Sequence, residues 1–383
     1  MEKNILKNLD KLLEKNNENK FSEDGIRFKF LGEGSFGIVY RATGENDIIV
    51  KVMKKPDQEP RKCLKIKQKV DALIEGNKKE LVKKYITNIL DVKLDIPNEV
   101  IFMEYLDGGD LHDFLVKEDE IDEDMFYILM SKIFLSVYVF HNILKYSHRD
   151  LKLGNIFYND STGNLKLIDF GFACAFNDKN CYNRYQGTSI YIHPKMNKQM
   201  IGGNLRGLKS KKNKSNSKEK IKSQKNNNRN SSSSNNSFSF PKPRSQDIFS
   251  LIIITFKIYS YIEYKQNSEE LKLYNYLKML FSSNPKNLNR KDRFSYRYNK
   301  KNILLRNLKN IDEHKITNKL ISKLIYLIKN YWNFEENNFI NNNGIDKSKK
   351  IFMELLEISI ECISKKQIKI KKELLRDKNI AIK

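Results

Sequence analysis

Cysteine is scarce in this chain: 383 residues include four, Cys63, Cys174, Cys181 and Cys362, scattered without a C-x-x-C pair. Such spacing offers no disulfide framework, and a reducing, intracellular compartment, cytoplasmic or nuclear, is the expectation. Long apolar runs are missing as well. The longest, Leu251 to Ile262, is broken by Lys257 and falls far short of the roughly 20 residues that a bilayer demands. It predicts a buried helix, and no membrane span is expected. No charged, apolar and small-residue leader opens the sequence. Acid is almost absent from one stretch: between Gly202 and Ser245 twelve Lys and Arg face the single Glu219, so 11 of the 24 net positive charges lie there.

Apolar residues make up 39% of the chain and include 22 Phe, enough material for a large buried core. The length admits two domains, or one elaborated two-lobed domain of about 250–300 residues. The stretch 202–245 is rich in Lys, Asn and Ser and too poor in apolar residues to offset chain ordering, which predicts a disordered basic insertion. Its charge suits an acidic partner, while nucleic acid or an anionic membrane would be drawn by the same field. At the start, Ile5, Leu6, Leu9, Leu12 and Leu13 recur at helical spacing, so the N-terminal extension 1–24 reads as a short amphipathic helix or a solvated arm.

Two motifs carry chemistry. His148-Arg149-Asp150-Leu151-Lys152-Leu153-Gly154-Asn155 is followed, nineteen residues after Asp150, by Asp169-Phe170-Gly171. Upstream, Gly32-Glu33-Gly34-Ser35-Phe36-Gly37 sits between two strand-like runs with no helix immediately after it. Glycines there let backbone N–H groups close over a polyphosphate. In the apolar run from Asp47 to Val52, Lys51 needs an anionic partner, either phosphate or carboxylate. With these features the chain resembles the eukaryotic-type protein kinase family, and Lys152, two residues past Asp150, marks the serine/threonine form.

The resemblance implies an α+β, two-lobed protein kinase-like fold over residues 25–377. A small β-rich N-lobe, 25–105, would hold five strands and one main helix, and a mainly helical C-lobe, 106–377, would follow, with 378–383 as a tail. It also implies ATP and Mg²⁺ in the cleft and protein Ser/Thr hydroxyls as acceptors. Asp150 would take the acceptor's proton, Lys152 would neutralise the transferring phosphoryl, and Asn155 and Asp169 would hold Mg²⁺. Lys51 would contact the phosphates while tethered by a helix glutamate; Glu75 is the choice, Glu80 the rival, and Asp71 is one methylene short. Leu31, Gly32, Glu33, Gly34, Ser35, Phe36, Gly37 and Val39 would cover the nucleotide. Met103 would stand behind the base, backbone groups of Glu104 and Leu106 would bond it, Asp110 would approach the ribose, and Phe157 completes the set. Thr188, in the peptide-positioning turn, would hydrogen-bond Asp150 and Lys152. A catalytically weak or inactive pseudokinase serving as a scaffold is the alternative, and phosphotransfer to a small molecule or lipid is disfavoured by Lys152 and the Gly187-Thr188 turn.

Several positions depart from that family pattern. Where it has Ala-Pro-Glu, this chain has His193-Pro194-Lys195, so a cation replaces the acid of a buried ion pair. The partner position near the end holds Lys369 or Ile370, with Arg293 as a competing candidate; loss of both members of such a pair is nearly neutral, loss of one is not. Ile49 stands where a small alanine is usual, and the added methyls predict weaker ATP affinity. No Ser or Thr occurs between Gly171 and Thr188, leaving Tyr182 and Tyr185. Phosphorylation of Ser or Thr beside Arg149 is therefore not the expected switch. The helix opening at Ser245-Gln246-Asp247-Ile248 should anchor the catalytic loop through Asp247.

Overall fold

The computed structural model describes residues 2–7, 20–23, 25–34, 36–118, 120–178, 187–193, 243–262, 267–282, 290–333, 338–339 and 348–383. Most of the basic stretch 202–245, together with Ser35, Tyr182, Tyr185 and Lys195, lies outside the described residues.

A short helix, α1 (Glu2–Lys7), precedes strand β1 (Lys20–Glu23). Strands β2 (Ile26–Glu33), β3 (Gly37–Thr43) and β4 (Asp47–Met53) then alternate, burying Ile26 and Phe28, Ile38, Tyr40 and Ala42, and Ile48, Val50 and Val52. A period of two puts one set of side chains on each face. With β5 (Ile89–Lys93) and β6 (Val100–Glu104) these strands form one six-stranded sheet, ordered β1-β2-β3-β4-β6-β5 and antiparallel throughout. The sixth strand, β1, falls in the segment read from sequence as an extension. It adds to the open edge of β2, pairing Phe21 with Phe28. Ile5 of α1 is fully buried in the same apolar cluster as Phe28, Tyr40 and Val50. The amphipathic reading of the first residues thus holds for Glu2–Lys7.

Between β4 and β5 the chain forms two helices where one was expected, α2 (Glu59–Asp71) and α3 (Asn77–Tyr85). Pro60 sits in the first turn of α2, where its missing N–H costs nothing because that donor has no intrahelical acceptor. The helix buries Cys63 and Ile66 and packs on β5.

Beyond the sheet the fold is mainly helical. The dyad β7 (Gly109–Asp110) leads into α4 (Leu111–Glu118) and α5 (Glu123–Asn142). Asp122 caps α5 by accepting the Met125 N–H at 2.7 Å. By length and composition α5 is apolar enough to cross a membrane, but its apolar window is 83% buried inside the protein. It is the central core helix. Full burial of Phe126, Phe134 and Phe140 contributes about 1.5–3 kcal/mol for each side chain. Strands β8 (Tyr146–Ser147), β9 (Ile156–Asn159), β10 (Asn164–Leu167) and β11 (Cys174–Ala175) make two small sheets, β10-β9-β7 and β11-β8. Then follow α6 (Pro243–Tyr259), α7 (Ser268–Phe281), α8 (Arg290–Asn307), α9 (Lys319–Tyr331), α10 (Ser348–Glu361) and α11 (Ile368–Ile382). Helices α6, α10 and α11 pack on α5, and α8 runs against α7. Cys63 and Cys362 are free thiols, whereas Cys174 is disulfide-bonded, which the scattered cysteine spacing did not lead one to expect.

Candidate active site

Alternation along β4 decides which residues face the cleft. Ile48, Val50 and Val52 point into the core of the sheet, so Ile49 and Lys51 occupy the opposite face. There the Lys51 Nζ lies 2.5 Å from Glu59 Oε1, the two side chains being 15% and 5% exposed. Burial alone would lower the Lys51 ammonium, but the charges of Glu59 and then Asp169 outweigh it and hold the group above its ordinary value. This corrects the sequence expectation. Glu75 is exposed in the turn between α2 and α3 and pairs with Lys79, while Glu80 pairs with Lys83 and Asp71 with Lys67. The physical reason is where α2 begins: its first turn, not its last, reaches β4. Pro60 was the available signal, since proline marks a helix start and puts Glu59 beside it.

The loop after β8 is organised by one buried acid. Asp247 of α6 is fully buried; its Oδ2 accepts from His141 Nε2 at 2.7 Å, Ser147 Oγ at 2.9 Å and the His148 N–H at 2.7 Å, and its Oδ1 from the Arg149 N–H at 2.7 Å. Burial raises this carboxyl, yet His141 and the backbone donors outweigh burial and hold it low. A carboxylate with donors on both oxygens fixes the chain entering Asp150. Arg149 sits at φ +67°, and its Nε donates to Gln246 Oε1 at 3.0 Å.

Asp150 is the next residue and is itself buried. Its Oδ1 accepts the Thr188 N–H at 2.7 Å, its Oδ2 lies 3.1 Å from Asn155 Nδ2, and Lys152 Nζ stands 3.3 Å from Oδ2. Thr188 therefore reaches Asp150 through its backbone N–H rather than through its hydroxyl. Gly187 must be glycine here: at φ +108° an added Cβ would stand 2.5 Å from the Arg149 carbonyl oxygen. Asn155 also donates from Nδ2 to the Asp150 carbonyl at 2.9 Å, which leaves its amide oxygen as an acceptor. Asp169, at φ +62°, accepts the Gly171 N–H at 3.2 Å. Burial raises its carboxyl, but Lys51 and that N–H outweigh burial and keep it low. Phe170 anchors the segment, buried and stacked on Phe140 at 5.5 Å. The oxygen set of Asp169 and Asn155 fits a hard divalent cation, which takes carboxylate and amide oxygens.

Above this floor lie the glycine-rich loop and the lobe connection. The Gly34 N–H donates to the Gly37 carbonyl at 2.9 Å, closing a turn between β2 and β3, and Glu33 pairs with Lys54. Phe36 meets Phe172 edge-on at 6.3 Å. Gly32 and Val39 are paired across β2 and β3, and Leu31 is 46% exposed. Ile49 is paired with Met103 across β4 and β6. The Glu104 carboxylate is occupied, accepting from Lys166 Nζ at 2.6 Å and the Asn88 N–H at 2.7 Å. Leu106 is half-buried. Asp110 accepts the Asp113 N–H at 2.9 Å in the first turn of α4 and is paired with Phe157 across β7 and β9.

Residues 26–204 match the family model for the protein kinase domain. Over that segment the chain is similar to the eukaryotic-type protein kinase family. It is 32% identical over 170 residues to serine/threonine-protein kinase dst1 of Dictyostelium discoideum, covering 43% of this chain and 22% of that protein. It is 32% identical over 173 residues to calcium-dependent protein kinase 3 of Plasmodium yoelii yoelii, covering 43% and 30%. To serine/threonine-protein kinase tricornered of Drosophila melanogaster it is 29% identical over 171 residues, covering 44% and 35%. The chain thus spans from 22% to 35% of the length of these relatives.

The turn that carries Thr188 is held in a way the sequence did not announce. Lys301 of α8 is fully buried; its Nζ donates to the Ser189 carbonyl at 2.9 Å and the Ile192 carbonyl at 2.7 Å, with the Phe249 ring 5.5 Å away. Arg297, one turn earlier, donates to the Ser189 hydroxyl. Burial, and then Arg297, push the Lys301 ammonium well below its ordinary value. Of the positions weighed from sequence as the partner of Lys195, Lys369 is exposed and Ile370 packs against the apolar core, while the Arg293 side chain and Lys195 itself lie outside the described residues. A lysine in a polar, weakly periodic helix gave no sign of full burial.

Proposed function

We propose that this kinase transfers the γ-phosphoryl of ATP to Ser or Thr hydroxyls of protein substrates. The observation that carries this reading is the position of Asp150. Its two oxygens are held by the Thr188 N–H and by Asn155, and the Lys152 ammonium lies within 3.3 Å of one of them. A carboxylate so placed takes the acceptor's proton as the new P–O bond forms and the bond to the ADP oxygen breaks, while Lys152 stabilises charge spreading over the phosphoryl. Lys51, fixed by Glu59, orients the nucleotide phosphates. Mg²⁺, where Asn155 and Asp169 would hold it, supplies further neutralisation of phosphate charge.

The scaffold reading loses one of its supports. It rested partly on an unclear choice of helix glutamate for Lys51, and Glu59 is the acid that meets it. Incubating the purified chain with radiolabelled ATP, Mg²⁺ and a mixed protein substrate tests the proposal, with Asp150→Asn as control and phosphoamino-acid analysis of the product. Label on Ser and Thr that vanishes in the variant is the expected result; no transfer by the native chain favours the scaffold.

A further inference from the structure

Helix α11 lies outside residues 26–204, yet it reaches back to α3 near the start of the fold, packing on both α3 and α5. Asp377, 1% exposed, is the acid at that junction. Its Oδ2 accepts the Tyr85 hydroxyl at 2.8 Å and also pairs with the Lys84 ammonium, which Glu373, one turn earlier in α11, shares. Tyr85 is buried too. Burial, and then Asp377, push its hydroxyl well above the ordinary value, so it stays a proton donor. The last two residues of α3 thus meet one carboxylate, and Tyr85 lies 292 residues from it along the chain.

Immediately after α3 the chain hooks onto the floor of the site. Ile86 bridges in parallel to Leu167, and the Thr87 N–H donates to the Leu167 carbonyl at 3.0 Å. Leu167 closes β10, two residues before Asp169. Next along, Ile168 donates its N–H to the Asn155 carbonyl at 3.1 Å, and its own carbonyl meets His148 Nε2 at 3.0 Å. Asn155 and Asp169 therefore both depend on the strand end that α3 holds. A buried ionic set is weak evidence for stability, and its best-attested use is to fix register. Directional bonds to two successive residues set the slide and rotation of α3 in a way that apolar contact does not.

Resting on the phosphotransfer reading above, we propose that Asp377 is a positioning residue for that reaction: through Lys84 and Tyr85 it sets α3, and α3, through Leu167 and Ile168, sets Asn155 relative to Asp169. The route is one contiguous set of hydrogen bonds. Its loss falls on the pair that would hold Mg²⁺ rather than on the acceptor, because the loop bearing Asp150 is anchored separately by Asp247.

Asp377→Asn and Tyr85→Phe test the proposal. Ile325→Ala is the control, since Ile325 is fully buried in α9 and its truncation lowers stability through a cavity. Hydrogen exchange without nucleotide or metal, compared at equal global stability, reads the link directly. The Thr87 and Ile168 amides should exchange about tenfold faster in Asp377→Asn, and about threefold faster in Tyr85→Phe, than in the control. In turnover, the Mg²⁺ concentration giving half-maximal rate should rise about tenfold in Asp377→Asn while the peptide KM stays unchanged. Should Asp377→Asn not fold, Tyr85→Phe decides by the same readings. Exchange at Ile168 no faster than in the control overturns the proposal, as does faster exchange with an unchanged Mg²⁺ requirement or an equal rise in the control. Faster exchange with no phosphorylation by the native chain overturns the phosphotransfer reading and leaves the link from α11 to Asp169 standing.

Discussion

Lys51 and Glu59 meet at 2.5 Å across the gap between β4 and the first turn of α2. In the same cleft the Lys51 ammonium is influenced by the Asp169 carboxylate, so one cation answers to two acids. Removing the positioning acid leaves a buried ammonium that can move toward Asp169.

Glu59→Gln should therefore lower kcat about 100-fold, the scale of loss that a misplacement near 1 Å produces. Glu75→Gln should leave steady-state kinetics unchanged, because Glu75 is exposed and paired only with Lys79. Equal losses in both variants would contradict the assignment.

Asp247→Asn keeps the size of the side chain but turns donors toward donors at His148 and Arg149. Chemical denaturation should show a loss of about 3 kcal/mol, and kcat should fall because the loop bearing Asp150 loses its anchor.

His141 sets a pH dependence. Burial lowers its imidazole from the ordinary value, against the opposing pull of Asp247. Between the folded value and the unfolded value of about 6.5, the unfolded chain binds a proton that the folded chain does not. The His141 contribution to stability is thus present above about pH 6.5 and lost as pH falls toward the folded value. Asp247, also lowered, adds stability present above an unfolded value of about 3.9 and lost as pH falls through its folded one. Denaturation midpoints of the native chain should drop from pH 7 to pH 5 more steeply than those of His141→Gln, and parallel curves would count against the assignment.

Ile49 occupies the cleft face of β4 opposite Met103. Its extra methyls crowd the space for a planar base, so Ile49→Ala should tighten ATP binding about fivefold, roughly 1 kcal/mol. Isothermal titration of the nucleotide measures this directly, and a weaker Kd in the variant would show that Ile49 packs on the base rather than restricting it.

Local chemistry determined much of this protein from sequence. Glycines at the β2–β3 turn, alternation in β4, and the fixed spacing of Asp150, Lys152, Asn155 and Asp169 are properties of a few consecutive residues, and they place the fold class and the candidate phosphate-facing groups without any long-range information. The sixth strand was not legible, because pairing of β1 depends on an open edge of β2 that no local pattern reveals.

Tertiary structure alone decided which charges meet. Glu59, Glu75 and Glu80 carry the same carboxylate along one stretch, with Asp71 one methylene shorter, and it is the first turn of α2 meeting β4 that selects Glu59. Lys301 reads as one more solvated cation in a basic chain, yet α8 delivers it into the core, where the carbonyls of Ser189 and Ile192 take the place of water. Burial and pairing of a charge depend on residues distant in sequence, and no window of neighbouring side chains contains that information.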